Sequence, residues 1–109
     1  MLINGCVKGK VGEREFADVL RKRGFETAKR GQQHAGGTDS PDVKCDELAH
    51  VHFEVKRVQA GNPYKWLEQA IRDAGDKKMP IVAHRKNRKD WIAILRMEDL
   101  ITLLQLRGI

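Results

Sequence analysis

The sequence predicts an α/β sandwich around one mixed sheet, and three observations predict it. Two stretches, KGKVGEREFADVLRKRG and YKWLEQAIRDAG, carry apolar residues at helical spacing and close on a glycine. Short runs rich in valine, isoleucine and phenylalanine lie between and after them, bounded by Gly, Pro, Asn and Asp. A third apolar helix, MEDLITLLQLRG, follows, so the elements run α-β-β-β-α-β-β-α in a single domain over residues 1–109.

Each element has its own justification. The first helix is expected from Lys10 to Arg23, with Phe16, Ala17, Val19 and Leu20 as its apolar stripe and Gly24 just beyond its end. FETAKR reads as a short strand, and GQQHAGGTDSP as a polar, glycine-rich loop. DVKC and AHVHFEVKRV read as two strands joined by a tight turn near Asp46 and Glu47. GNP interrupts the pattern before the second helix, which stops at Gly75. MPIVAHR and DWIAILRM are strands joined by the turn KNRK. The last helix places Leu100, Ile101, Leu103, Leu104 and Leu106 together, which is more apolar surface than a small core needs and suits a homodimer contact.

Composition narrows the class of function. Lys and Arg number 21 against 15 Asp and Glu, a net charge of +6, which favours a polyanionic partner such as nucleic acid. No apolar run approaches the ~20 residues needed to span a bilayer, so no membrane role is expected and the expected compartment is the cytoplasm. Cys6 and Cys45 lack a C-x-x-C partner and read as idle or buried thiols.

The chemistry concentrates in SPDVKCDELAHVHFEVKR. Strand side chains alternate, so Val51, Phe53 and Val55 share one face while His52, Glu54, Lys56 and Val58 share the other. Glu54 and Lys56 then stand roughly 7 Å apart along the strand. Such a pair is often only a solvated face, but Asp42 opens the preceding strand directly after Pro41, and pairing through the turn would bring it near Glu54. Two adjoining carboxylates repel and resist desolvation unless a cation lies between them. Hard oxygen ligands of this kind suit Mg²⁺. A lysine beside them can orient or deprotonate water at the metal, or stabilise charge on a phosphate. On the first helix, Phe16, Ala17 and Leu20 all lie within about 60° of Glu13, which aims a further acid at the same sheet. A first-turn glutamate favoured by the helix dipole is the plainer reading of Glu13.

These residues resemble the PD-(D/E)XK nuclease motif, Pro41-Asp42 followed by Glu54-Val55-Lys56. KGKVGEREFADVLRKRGF is similar to the first helix of archaeal-type Holliday junction resolvases and their phage relatives. The likeness is close over roughly residues 8–58 and extends to the rest in element order. It implies a restriction-endonuclease-like core, a mixed β-sheet flanked by helices, and a Mg²⁺-dependent endonuclease acting on four-way or other branched DNA as a homodimer. It implies Asp42 and Glu54 as metal ligands with the Val55 carbonyl, Glu13 as supporting acid, Lys56 as catalytic lysine and Arg14 as a DNA contact or brace for the acids. Mn²⁺ is expected to substitute for Mg²⁺, and a phage origin would place the protein in a host cytoplasm. Asp39, an extra acid before the motif, is either an auxiliary ligand or a turn residue.

Other residues complete the expectation. Gln69 on the second helix either positions substrate, as a glutamine does in some nucleases of this superfamily, or is an ordinary surface residue. HRKNRKD supplies Arg85, Lys86 and Arg88 as phosphate contacts, and Lys8, Lys10, Arg30 and Arg57 could extend them into a groove. Tyr64 and Trp66 suit packing more than base stacking. His50-x-His52 with Cys45 does not complete a zinc set at sensible spacing, and His34 and His84 read as surface residues. A nuclease of the same fold with another substrate, or a non-catalytic nucleic-acid-binding module whose acids are structural, are the competing functions.

Overall fold

The computed structural model describes residues 5–31 and 41–107, with side chains from residue 9 onward. Asp39, His34 and the side chains of Lys8 and Cys6 lie outside the described residues.

The elements appear in the expected order. Helix α1 spans Gly5–Lys22, β1 Lys29–Arg30, β2 Val43–Lys44, β3 Val51–Lys56, α2 Pro63–Ala74, β4 Met79–His84, β5 Ile92–Ile94 and α3 Met97–Leu106. The five strands form one sheet in the order β1-β2-β3-β4-β5, parallel between β3 and β4 and antiparallel elsewhere. Helix α2 is the crossover that a parallel pair requires. The restriction-endonuclease-like architecture, a mixed sheet with flanking helices, is therefore present.

Local sequence explains the boundaries. Gly24 adopts φ 99°, and Gly24 N–H and Phe25 N–H turn back to Arg21 O (3.0 Å) and Leu20 O (3.0 Å), closing α1 as its glycine predicts. Asn62 caps α2 through Oδ1, which accepts from Tyr64 N–H (3.0 Å) and Lys65 N–H (3.3 Å), and Pro63 occupies the first helical position. Gly12 lets α1 lie against the end of β3, where an added Cβ would collide with Arg57 Cβ.

The two faces of the sheet differ in chemistry. On one, α1 packs Phe16 and Ala17 against Val43, Val51, Phe53 and Ala83, and the Phe16 ring meets Phe53 and Trp91 at 5.2 Å each. On the other, α2 lays Ala70 and Ala74 over β3 and β4, where His52 and Glu54 are buried. The short alanines keep helix and sheet close, and Gln69 and Asp73 form the adjacent stripe one turn apart.

Several expectations need correction. Helix α1 begins at Gly5, five residues earlier than expected. The strands in FETAKR and DWIAILRM shrink to Lys29–Arg30 and Ile92–Ile94, both at sheet edges, where pairing is available on one side only. The turn after β2 is a 3₁₀ segment, Asp46–Leu48. Val19 is exposed, because it lies about 120° from Glu13 on the helical wheel and falls off the apolar stripe. His84 is buried, with Nε2 hydrogen-bonded to Val58 O (3.0 Å) and its ring 4.7 Å from Trp66. Trp66 thus packs as expected, whereas Tyr64 is 80% exposed. Helix α3 buries no residue fully, and Met97, Ile101, Leu104 and Leu106 are exposed. Among the described residues no helix is long and apolar enough to cross a membrane.

Candidate active site

The register of β2 and β3 builds the centre of the site. Val43 pairs with Phe53, so Asp42 and Glu54, one step further along each strand, lie opposite one another. Asp42 is tied to β3 through both backbone and side chain. Its N–H donates to Phe53 O (2.9 Å), and its Oδ2 accepts from Val55 N–H (2.8 Å). Burial, and then the charge of Glu54, push the Asp42 carboxyl up to about 6, although the Val55 N–H bond and Lys56 pull it the other way.

Glu13 reaches the same centre from α1. It is buried, and its affinity for a proton is raised first by that burial and then by the charge of Asp42, with Glu54 adding to it. Arg30 Nε stands 3.5 Å from Glu13 Oε2 and offsets part of the effect. Lys56 Nζ donates to Gln69 Oε1 at 3.2 Å, so the amine of β3 is aimed by an amide of α2. Helix α1 and strands β2 and β3 thus bring together the four side chains singled out from sequence, and α2 adds a fifth. Glu13 and Asp42, each raised by burial and by neighbouring carboxylate charge that lysine and arginine offset only in part, suit with Glu54 a hard divalent cation, which would favour the carboxylate forms. Asp42, Glu54 and Glu13 with the Val55 carbonyl are the groups that could hold it.

His52 is wholly buried on the same face of β3, with Nε2 2.9 Å from Glu54 Oε1. Its Nδ1 has no hydrogen-bond partner among the described residues. Among the described residues, His52, Glu54 and Asp73 form a group whose ligand-type atoms all lie within 4.8 Å of one another. His50, by contrast, is exposed, and Cys45 is occupied elsewhere, hydrogen-bonding with Glu47 and Thr27.

The predicted DNA-contacting cations fall into two groups. Lys10, Arg14, Lys86 and Arg88 are exposed. Arg30, Arg57 and Arg85 are half-buried and engaged with acids: Arg30 with Glu13, and the other two with Glu15 Oε1 at 3.2 and 2.9 Å. Arg57 also donates to Asn87 Oδ1 (2.9 Å) and Arg85 to Lys89 O (2.6 Å). Glu15 was not singled out in the sequence, since helical periodicity turns it away from Glu13. Nor was Asp73, although its place four residues after Gln69 puts both on one stripe of α2. The closeness of His52 to Glu54 was legible in strand alternation, which sets them on one face.

Comparison with protein-family models matches residues 4–107 to the family described as "Phage putative PDDEXK endonuclease". No curated protein and no solved structure matches the chain.

Proposed function

The chain belongs to the phage PDDEXK endonuclease family, and on that premise we propose that it is a Mg²⁺-dependent, structure-specific DNA endonuclease resolving four-way or other branched DNA. Mn²⁺ can take the place of Mg²⁺. The observation that carries this reading is Asp42 itself: its carboxyl is fixed by Val55 N–H, faces Glu54 and Lys56, and is pushed up to about 6 by burial and by Glu54.

In this reading Asp42, Glu54 and the Val55 carbonyl hold the ion, with Glu13 in support. The bound ion supplies positive charge that polarises the phosphodiester and favours hydroxide over water. Lys56, oriented by Gln69, stabilises negative charge developing on the scissile phosphate. Arg30, 3.5 Å from Glu13 Oε2, favours the ionised form of Glu13 and offsets part of what burial and Asp42 do to it. The exposed Lys10, Arg14, Lys86 and Arg88 grip the DNA backbone, with Arg57 and Arg85 behind them on Glu15. Binding of this kind selects shape and depends strongly on salt, because phosphate contacts carry no base sequence. The exposed apolar side of α3, with Ile101 and Leu104, joins two copies about a two-fold axis matching paired cuts in a junction.

The test is cleavage of a four-way junction beside a linear duplex of the same sequence in Mg²⁺. The wild type should cut the junction selectively, and Asp42→Asn should bind it without cutting. Retained cutting by Asp42→Asn would overturn the assignment. Equal cutting of both DNAs would point to a nuclease of the same fold with another substrate, and tight binding without cutting in Mg²⁺ or Mn²⁺ to a binding module.

A further inference from the structure

We infer that His52, Glu54 and Asp73 form a second divalent-cation site, distinct from the one centred on Asp42 and sharing only Glu54 with it. It takes a first-row transition-metal ion that accepts imidazole, such as Mn²⁺ or Zn²⁺, in preference to Mg²⁺. The inference does not depend on the cleavage reading, since it concerns occupancy rather than turnover.

Three observations carry it. The first is chemical: an imidazole and two carboxylates converge, with ligand-type atoms all within 4.8 Å of one another. Ligands about 2.1 Å from an ion and at right angles stand about 3 Å apart, and opposite ones about 4.2 Å. The 2.9 Å between His52 Nε2 and Glu54 Oε1 already matches neighbouring ligands, and an Asp73 carboxylate oxygen stands within 4.8 Å of a ligand-type atom of each. The second is the ring itself. His52 is wholly buried, yet among the described residues its Nδ1 has no hydrogen-bond partner, so the ring carries a buried nitrogen whose polar demand the protein leaves unmet. The third is access. Asp73 also lines an open cavity of about 460 Å³ with Gly75, Asp76, Lys77 and Lys78 at the end of α2, so one of the three ligands adjoins open space.

The fold explains why these three meet. Alternation puts His52 and Glu54 on the α2-facing side of β3, and Gln69 and Asp73 follow one another by one helical turn above it. Gln69 engages Lys56, and Asp73 comes to His52 and Glu54. A mixed nitrogen and oxygen set disfavours Mg²⁺, which prefers oxygen and keeps its waters.

The experiment counts Mn²⁺ ions per chain by titration calorimetry and records the electron spin-echo signal of bound Mn²⁺, where a coordinated imidazole imposes a nitrogen modulation. Two ions should bind wild type, and the modulation should be present. Asp73→Asn, a near-isosteric change at a half-buried helix position, should weaken Mn²⁺ binding at one site by tenfold or more, with circular dichroism checking the fold. His52→Gln should abolish the modulation, with circular dichroism checking the fold. Asp42→Asn should lose the other ion and keep the modulation, which separates failure of this site from failure of the cleavage centre. Absence of nitrogen modulation in the wild type, or Mn²⁺ binding indifferent to Asp73→Asn, would overturn the inference.

Discussion

Asp42→Asn should stabilise the metal-free protein while ending its cleavage. The folded chain holds the Asp42 proton up to about 6, against an ordinary value of 3.8. Between those values the unfolded chain releases its proton first, so stability falls as pH rises, and the loss is complete above about 6. A difference of this size corresponds to about 3 kcal/mol by pH 8. Asparagine carries no charge to desolvate beside Glu54, and its side-chain oxygen can still accept from Val55 N–H. In chelator at pH 8 the variant should therefore melt up to about 12–24 °C higher than wild type, at roughly 4–8 °C per kcal/mol for a domain of this size. At pH 4 the two should nearly coincide. Mg²⁺ should raise the wild-type midpoint far more than that of the variant, because only the wild type offers both carboxylates. Thermal denaturation followed by circular dichroism, with and without chelator at both pH values, measures all of this. A variant no more stable than wild type at pH 8 in chelator would refute the claim that these acids are held together against their own repulsion.

Further outcomes follow from neighbouring contacts. Gln69→Ala should slow junction cleavage about tenfold, some 1.4 kcal/mol, with junction affinity unchanged, because it frees Lys56 to leave its aimed position; single-turnover kinetics decide it. Glu15→Gln should release Arg57 and Arg85, tightening DNA binding at low salt and steepening its salt dependence. Its cost in folding stability should be at most about 1 kcal/mol, since these pairs are partly exposed. Gly12→Ala should destabilise the fold by roughly 1–3 kcal/mol, because the added methyl drives α1 away from Arg57, and chemical denaturation reads it directly.

The sequence by itself determined the order of elements, the closing of α1 at Gly24 and of α2 beyond Ala74, and the alternation that sets Glu54 beside Lys56. These are local matters, settled by periodicities of 2 and 3.6 and by the backbone freedom of glycine. It also carried the family, through Pro41-Asp42 and Glu54-Val55-Lys56 within the matched residues 4–107. Tertiary structure decided what depends on distance in space rather than along the chain. The pairing of Val43 with Phe53 brings Asp42 opposite Glu54. The seat of α2 on β3 and β4 delivers Gln69 to Lys56 and Asp73 to His52, and the approach of α1 binds Glu15 to two arginines 42 and 70 residues away. No local pattern distinguishes such partners from ordinary surface charges, because their meaning comes from burial and from a neighbour on another element.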